Sequence, residues 1–212
     1  MLAIGGSAPT ASATPVSVQL TPTNGQTNQA VLTVRIFSSL TATSLVESTS
    51  TLDVDYDLAT HELTLTAASL DGTDVHYGFG IGPVDGKNIN VSLAAASTPV
   101  AVDPVTGAFS GLSVDVLVAA DLYYNNSLIQ SGTTFTTLNN LTGKLTVDPF
   151  GHVAGTNIVG TIPETGYPIP PLPGSVYLSG TLTLNFTGSL PGVVFLDGFD
   201  DGNFTEWSSH VP

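Results

Sequence analysis

Apolar and polar side chains alternate with a period of two through most of this chain. No stretch carries the 3.6-residue period and caps of an amphipathic helix. Val16–Leu20, Leu52–Tyr56, Leu63–Thr66, Val114–Val118 and Leu182–Phe186 each place apolar residues on one face and Ser, Thr, Asp, Gln or Asn largely on the other. Turn-forming pairs punctuate these runs, among them Asn24-Gly25, Asp71-Gly72, Asp85-Gly86 and Asn125-Asn126. Such a pattern commits each strand to one buried and one wet face. Cysteine is absent, so burial and ladder hydrogen bonds must hold the fold without disulfides or thiolate metal sites. The expected class is all-β: an antiparallel β-sandwich, jelly-roll-like, or an irregular barrel.

The pattern predicts strands near 15–21, 29–38, 43–56, 62–70, 74–81, 87–96, 109–123, 127–137, 141–147, 152–161 and 175–188, with a further one at 192–197. Residues 1–14 are small, polar and unpatterned, and read as an N-terminal arm. Residues 15–191 read as a single β-domain, interrupted at 162–174 by a connection holding five prolines that cannot donate to a ladder. Residues 192–212 form a C-terminal strand and tail. Three related turn segments begin at Asp57, Asp103 and Asp148, each between alternating runs. Their likeness stops at the turns, so a propeller or solenoid, which repeats whole units, is not indicated.

Charge is scarce and one-sided. Seventeen acidic residues face only Arg35, Lys87 and Lys144, a net charge of −14, while 29 Thr and 20 Ser supply most of the polarity. That balance repels phosphate backbones and argues against a nucleic-acid partner. No run of 18 apolar residues exists for a membrane-spanning helix. The alternation suits an outer-membrane barrel, but Asp53, Asp55 and Asp57 on one strand and few girdle aromatics argue against it.

Motifs for chemistry are few. The four histidines, His61, His76, His152 and His210, form no H-x-H or H-E-x-x-H pattern, and no G-x-S-x-G elbow occurs. The expectation is a chain without catalytic residues and without a resident cofactor. Asp53, Asp55 and Asp57 project from one strand face and are candidate Ca²⁺ ligands together with a loop oxygen; the plainer alternative is a solvated outer face. Five N-x-S/T sequons lie at Asn90, Asn125, Asn140, Asn185 and Asn203, and only Asn203 has an acidic residue, Asp201, two positions before it. Asn203 is therefore the candidate glycosylation site. Tyr77, Phe79, Tyr123, Tyr124 and Tyr167 are candidate sugar-stacking aromatics, with core or cross-strand packing as the alternative.

The segment Asp197-Gly-Phe-Asp-Asp-Gly-Asn-Phe-Thr-Glu-Trp-Ser208 resembles the Asp-Gly-Phe-Glu-Ser-Gly-(Asp/Asn)-x-x-x-Trp-Ser tail that ends many otherwise unrelated bacterial secreted proteins. Asp200 and Asp201 stand where that tail has Glu and Ser. The resemblance covers under a tenth of the chain and implies an extracellular or cell-surface location rather than an activity. The stretch Phe199–Trp207 is also similar to the opening of concanavalin-like jelly-roll domains. Just before it, Val193, Val194, Phe195 and Leu196 make an apolar run suited to adding a strand to a neighbour, with Trp207 as a further anchor. These features predict a structural subunit that forms a homo-oligomer or polymer. The alternative is a lectin-like or adhesin module with a glycan as partner.

Overall fold

The computed structural model describes residues 15–36, 38–80, 82–168 and 175–191. The described residues form thirteen strands in one antiparallel sheet and no helix. In chain order these are β1 (Val16–Pro22), β2 (Gln29–Arg35), β3 (Ser39–Leu45), β4 (Thr51–Asp57), β5 (Glu62–Gly72), β6 (Val75–Phe79) and β7 (Gly82–Leu93). They continue as β8 (Val100–Ala101), β9 (Ala108–Tyr124), β10 (Ser127–Gln130), β11 (Thr133–Val147), β12 (His152–Pro168) and β13 (Ser175–Ser189).

The expected all-β antiparallel class holds. Neighbours follow the order β1-β4-β5-β7-β9-β11-β12-β13, and β1 then meets β13, so these eight strands close into an irregular ring. The closure is short. Thr21 lies opposite Thr187 and Pro22 opposite Phe186, and the Thr23 amide donates to the Asn185 carbonyl at 2.8 Å. Every strand pair in the ring is antiparallel, and an even number of strands lets that alternation close without conflict.

Closure gives the sheet an inside and an outside, and the alternation sorts residues between them. On β4, Leu52, Val54 and Tyr56 are buried while Asp53, Asp55 and Asp57 face outward, half-exposed. The main core gathers Val18, Leu20, Phe109, Val114, Leu184 and Phe186 with their neighbours. A second cluster, Leu32, Val34, Val75, Tyr77, Val84 and Val176, fills the other end. Two interior cavities of about 50 and 80 Å³ are lined almost wholly by apolar side chains, with Val91, Val116, Leu138 and Leu182 on the wall between them. Apolar cavities of this size stay dry. The polarity is the reverse of a lipid-embedded barrel, whose outer band is apolar. No helix of the described residues is long and apolar enough to cross a membrane.

Strands change partners at one level of the barrel. Going along β13, Tyr177–Thr183 pair with β2 and Phe186–Thr187 with β1, while β12 accompanies the strand on its other side. Along β7, Gly82–Gly86 pair with β6 and Ile89–Ser92 with β5. Among the described residues the buried polar ones, Asn28, Ser44, Ser50 and Asn185, sit at these handovers. Asn185 donates its side-chain amide to the Thr27 carbonyl (2.7 Å), accepts the Asn157 amide (2.9 Å), and its own amide bonds Asn28 Oδ1. Ser44 Oγ donates to the Thr73 carbonyl at 2.7 Å, and Ser50 Oγ accepts the Asp71 amide at 2.9 Å. Main-chain groups released by one partner are thus caught by side chains before the next begins.

Three sequence expectations need correction. The run 43–56 is two strands, because the chain turns aside at Val46, which lies opposite Gly72, and the Glu47 amide bonds the Asp71 carbonyl at 2.8 Å. The pieces 127–137 and 141–147 divide differently: β10 ends at Gln130, and β11 runs unbroken past Asn139 and Asn140, where its register shifts and Asn140 takes φ 55°. The proline-rich connection 162–174 is strand as far as Pro168. Pro163 falls at a register shift between Ile162 and Thr165, where no ladder amide is required of it. The expected strand at 192–197 lies outside the described residues.

Candidate functional site

One pole of the barrel is a ring of turns. The β4–β5 turn leads on to the β8–β9 turn, where the Val102 amide bonds the His61 carbonyl (2.8 Å). The Leu145 amide bonds the Gly107 carbonyl (2.8 Å), tying the β8–β9 turn to the end of β11. The Leu190 amide bonds the Gly151 carbonyl (2.8 Å), tying the β11–β12 turn to the end of β13. Val16, at the start of β1, lies opposite Tyr56 at the same pole. The described chain therefore begins, at Pro15, and ends, at Pro191, at this same pole.

The three turns share one device. Asp57 Oδ1 accepts the amides of Ala59 (2.8 Å) and Thr60 (3.0 Å). Asp103 Oδ1 accepts those of Val105 (2.9 Å) and Thr106 (2.7 Å), and Asp148 Oδ1 those of Phe150 and His152 (both 2.9 Å). A carboxylate that caps two amides in this way stands in for a backbone turn. The donated bonds hold Asp57 and Asp103 below the usual carboxylate range. Asp148 is lowered chiefly by the His152 imidazole, 2.8 Å from its Oδ2. A left-handed residue closes each turn: His61 (φ 54°), Gly107 (φ 71°) and Gly151 (φ 78°). At Gly107 a Cβ would also lie 2.5 Å from the Leu145 carbonyl oxygen, so glycine is required there twice over.

With the amides held by Asp, each turn tip is free to carry an apolar side chain outward. Leu58, Val105 and Phe150 occupy these tips, Val105 being 90% and Phe150 60% exposed. The weak repeat in the sequence has a geometric origin. The chain climbs on β5, β9 and β12 and descends on β7, β11 and β13, returning to this pole after each long pair.

At the opposite end the sheet is open. Among the described residues no ladder joins β3 to β6, though the two lie side by side. They meet at a fork where Leu45 and Thr73 exchange bonds: the Leu45 amide to Thr73 Oγ1, and the Thr73 amide to the Leu45 carbonyl, both 2.9 Å. Main-chain groups on alternate residues point the same way, so Thr43 and Thr41 also aim at this seam. On β6, Gly78 lies opposite Pro83, which has no amide to give, and the Pro83 carbonyl bonds Asn125 instead. His76 and Gly78 therefore turn their main-chain groups to the seam. The 80 Å³ cavity is walled among others by Leu32 and Val34 of β2 and by Val75 and Tyr77 of β6.

The proposed Ca²⁺ ligands are laid out along β4 rather than gathered. Asp53 and Asp55 lie opposite Gln19 and Ser17; Gln19 Nε2 donates to Asp53 at 2.9 Å, and Ser17 Oγ to Asp55 at 2.6 Å. Asp57 serves its turn. Among the described residues no three His, Asp or Glu side chains converge on a point that could hold a metal ion. His61 bonds Tyr56 and His76 bonds Asp85, while His152 bonds Asp148, in three separate places.

Elsewhere on the outer face the carboxylates take neutral donors. Thr137 bonds Asp115, Ser131 and Asn88 bond Asp121, and Asn90 and Thr49 bond Asp71. Ser131 and Asn88 hold Asp121 below the usual range. Of the candidate aromatics, Tyr77 is core, its hydroxyl 3.3 Å from the Leu32 carbonyl and its pKa pushed up by burial. Phe79 and Tyr124 pack on the same cluster, and Tyr123 lies under the Lys87 ammonium. Tyr167 pairs through its main chain with Val176.

Among the sequons, Asn185 is buried with its side chain bonded to Thr27 and Asn157, whereas Asn125 and Asn140 are exposed at left-handed positions. Val193, Val194, Phe195, Leu196, Trp207 and Asn203 lie outside the described residues. The turn pole and the seam were not singled out from sequence, because both depend on which strands adjoin. The three Asp turns were the one signal that sequence carries. No protein-family model, no curated protein and no solved structure matches this chain.

Proposed function

We propose that the chain is an extracellular structural subunit of a bacterial surface fibre, sheath or matrix, joined to its neighbours by strand addition through a terminal segment. One observation carries this reading: the described chain begins and ends at a single pole, whose rim presents Leu58, Val105 and Phe150 to solvent. A barrel filled with apolar side chains offers a rigid body but no polar interior for chemistry. The apolar run Val193–Leu196 supplies the added strand, and Trp207 anchors the tail beyond it. The secreted address rests on the resemblance of Asp197–Ser208 to known secreted tails.

Removing residues 192–212 should abolish the large species that the full chain forms in light scattering and negative-stain images. Removing residues 1–14 in a second variant shows whether the arm is the joining segment instead. Large species that persist through both deletions would overturn the proposal.

A further inference from the structure

We infer that the seam between β3 and β6 is the acceptor for this strand, and that its occupant is Val193–Leu196 of a second copy. The inference rests on the proposed terminal assembly and adds the place where the terminus docks. Two strands side by side without a ladder leave main-chain donors and acceptors facing each other unbridged, here on Thr41 and Thr43 of one and His76 and Gly78 of the other. A strand inserted there needs the two edges about 9.6 Å apart, so it opens the fork beyond Leu45 and Thr73 and then satisfies both edges at once, which is the physical basis of strand addition. The neighbourhood is suited to apolar side chains, since Leu40 and Ala42 of β3 and Val75 and Tyr77 of β6 belong to or pack on one apolar cluster with Leu32 and Val34. A strand carrying four consecutive apolar residues turns two of them to that cluster whichever face it presents inward.

Chain length decides whose segment this is. Thr41 lies opposite Thr33, which lies opposite Ser179, and Ser179 is ten residues before Ser189 at the turn pole. At about 3.3 Å per residue that is about 33 Å along the barrel. Leu196, seven residues past Ser189, reaches at most about 25 Å even when fully extended. A copy's own apolar run therefore falls short of its own seam. Donor and acceptor lie at opposite ends of the molecule, so the contact is heterologous. Repeated, it builds an open linear polymer instead of a closed dimer.

The chain has no cysteine, so single cysteines report contacts without background. A Thr41→Cys protein mixed with a Val194→Cys or a Phe195→Cys protein should give a disulfide-linked heterodimer with at least one of the two tail positions. Thr146→Cys, on the outer face near the turn pole, should give none. Thr41→Pro removes an amide that faces the seam and should stop growth of large species while leaving the thermal melt of the monomer in place. Cross-linking through Thr146→Cys as strongly as through Thr41→Cys would overturn the inference. If deleting 192–212 abolishes assembly but Thr41 neither cross-links nor responds to proline, the seam is wrong and terminal assembly stands. If large species survive both terminal deletions, the two fall together.

Discussion

Asp57, Asp103 and Asp148 do the same work at three turns, and each does it as a carboxylate. Their pKa values lie below the ordinary value of 3.8, so the folded chain holds these protons less tightly than the unfolded chain does. The stability they contribute is present above about pH 4 and is lost as pH falls through the lowered values of the folded state. Asp103→Asn keeps an acceptor oxygen but removes the charge. It should be modestly less stable than the parent at pH 7, and the gap should narrow between about pH 4 and pH 2. Denaturant midpoints across that range test this; a gap that stays constant would show that the charge on Asp103 adds nothing. The turns themselves could be read in the sequence, because Asp followed by Pro or a left-handed residue is local chemistry. Their meeting at one pole could not, since it follows from the lengths of strands far away in the chain.

Strand positions were legible for the same reason that the fold works: one face of each strand is buried, and alternation records it. Legibility failed where a strand changes partner. Nothing in the run 43–56 announces that Val46 comes to lie opposite Gly72 while Glu47 bonds sideways to Asp71, because β-propensity does not encode which edge is taken. Pro163 misled in the opposite sense: a residue that cannot donate reads as loop, yet a register shift accommodates it within β12. Asn185 marks the handover on β13 and appears in sequence only as one more polar residue on an alternating strand. Asn185→Leu leaves the Asn157 amide and the Thr27 carbonyl without their partner. Both bonds are part-buried, so water meets some of the lost demand, and the loss should be about 1–3 kcal/mol in all. Urea unfolding at neutral pH measures it, and a variant as stable as the parent would show that water replaces the amide without penalty.

For the molecule as a whole, charge and architecture pull in different directions. The net charge is −14, and Arg35 with Glu164 is the one pair of a basic side chain and a carboxylate, His apart, among the described residues. Most outer-face carboxylates are bonded by hydroxyls and amides, which fix their positions but cancel none of their charge. Self-repulsion of this kind is screened by salt. Raising the ionic strength from about 0.01 M to 0.15 M shortens the screening length from about 30 Å to 8 Å and should raise the melting temperature by several degrees. A melting temperature that falls instead would mean that local ion pairing outweighs the repulsion. The long strand β13 has one more consequence. It is flanked by β12 on one side and by β2 and then β1 on the other, so tension applied between the β3 edge and the end of β13 runs parallel to the strands. The hydrogen bonds lie across that direction, and such a pull loads all the rungs together in shear instead of parting them one at a time. A chain with no covalent cross-link is thereby built to resist being stretched along its axis.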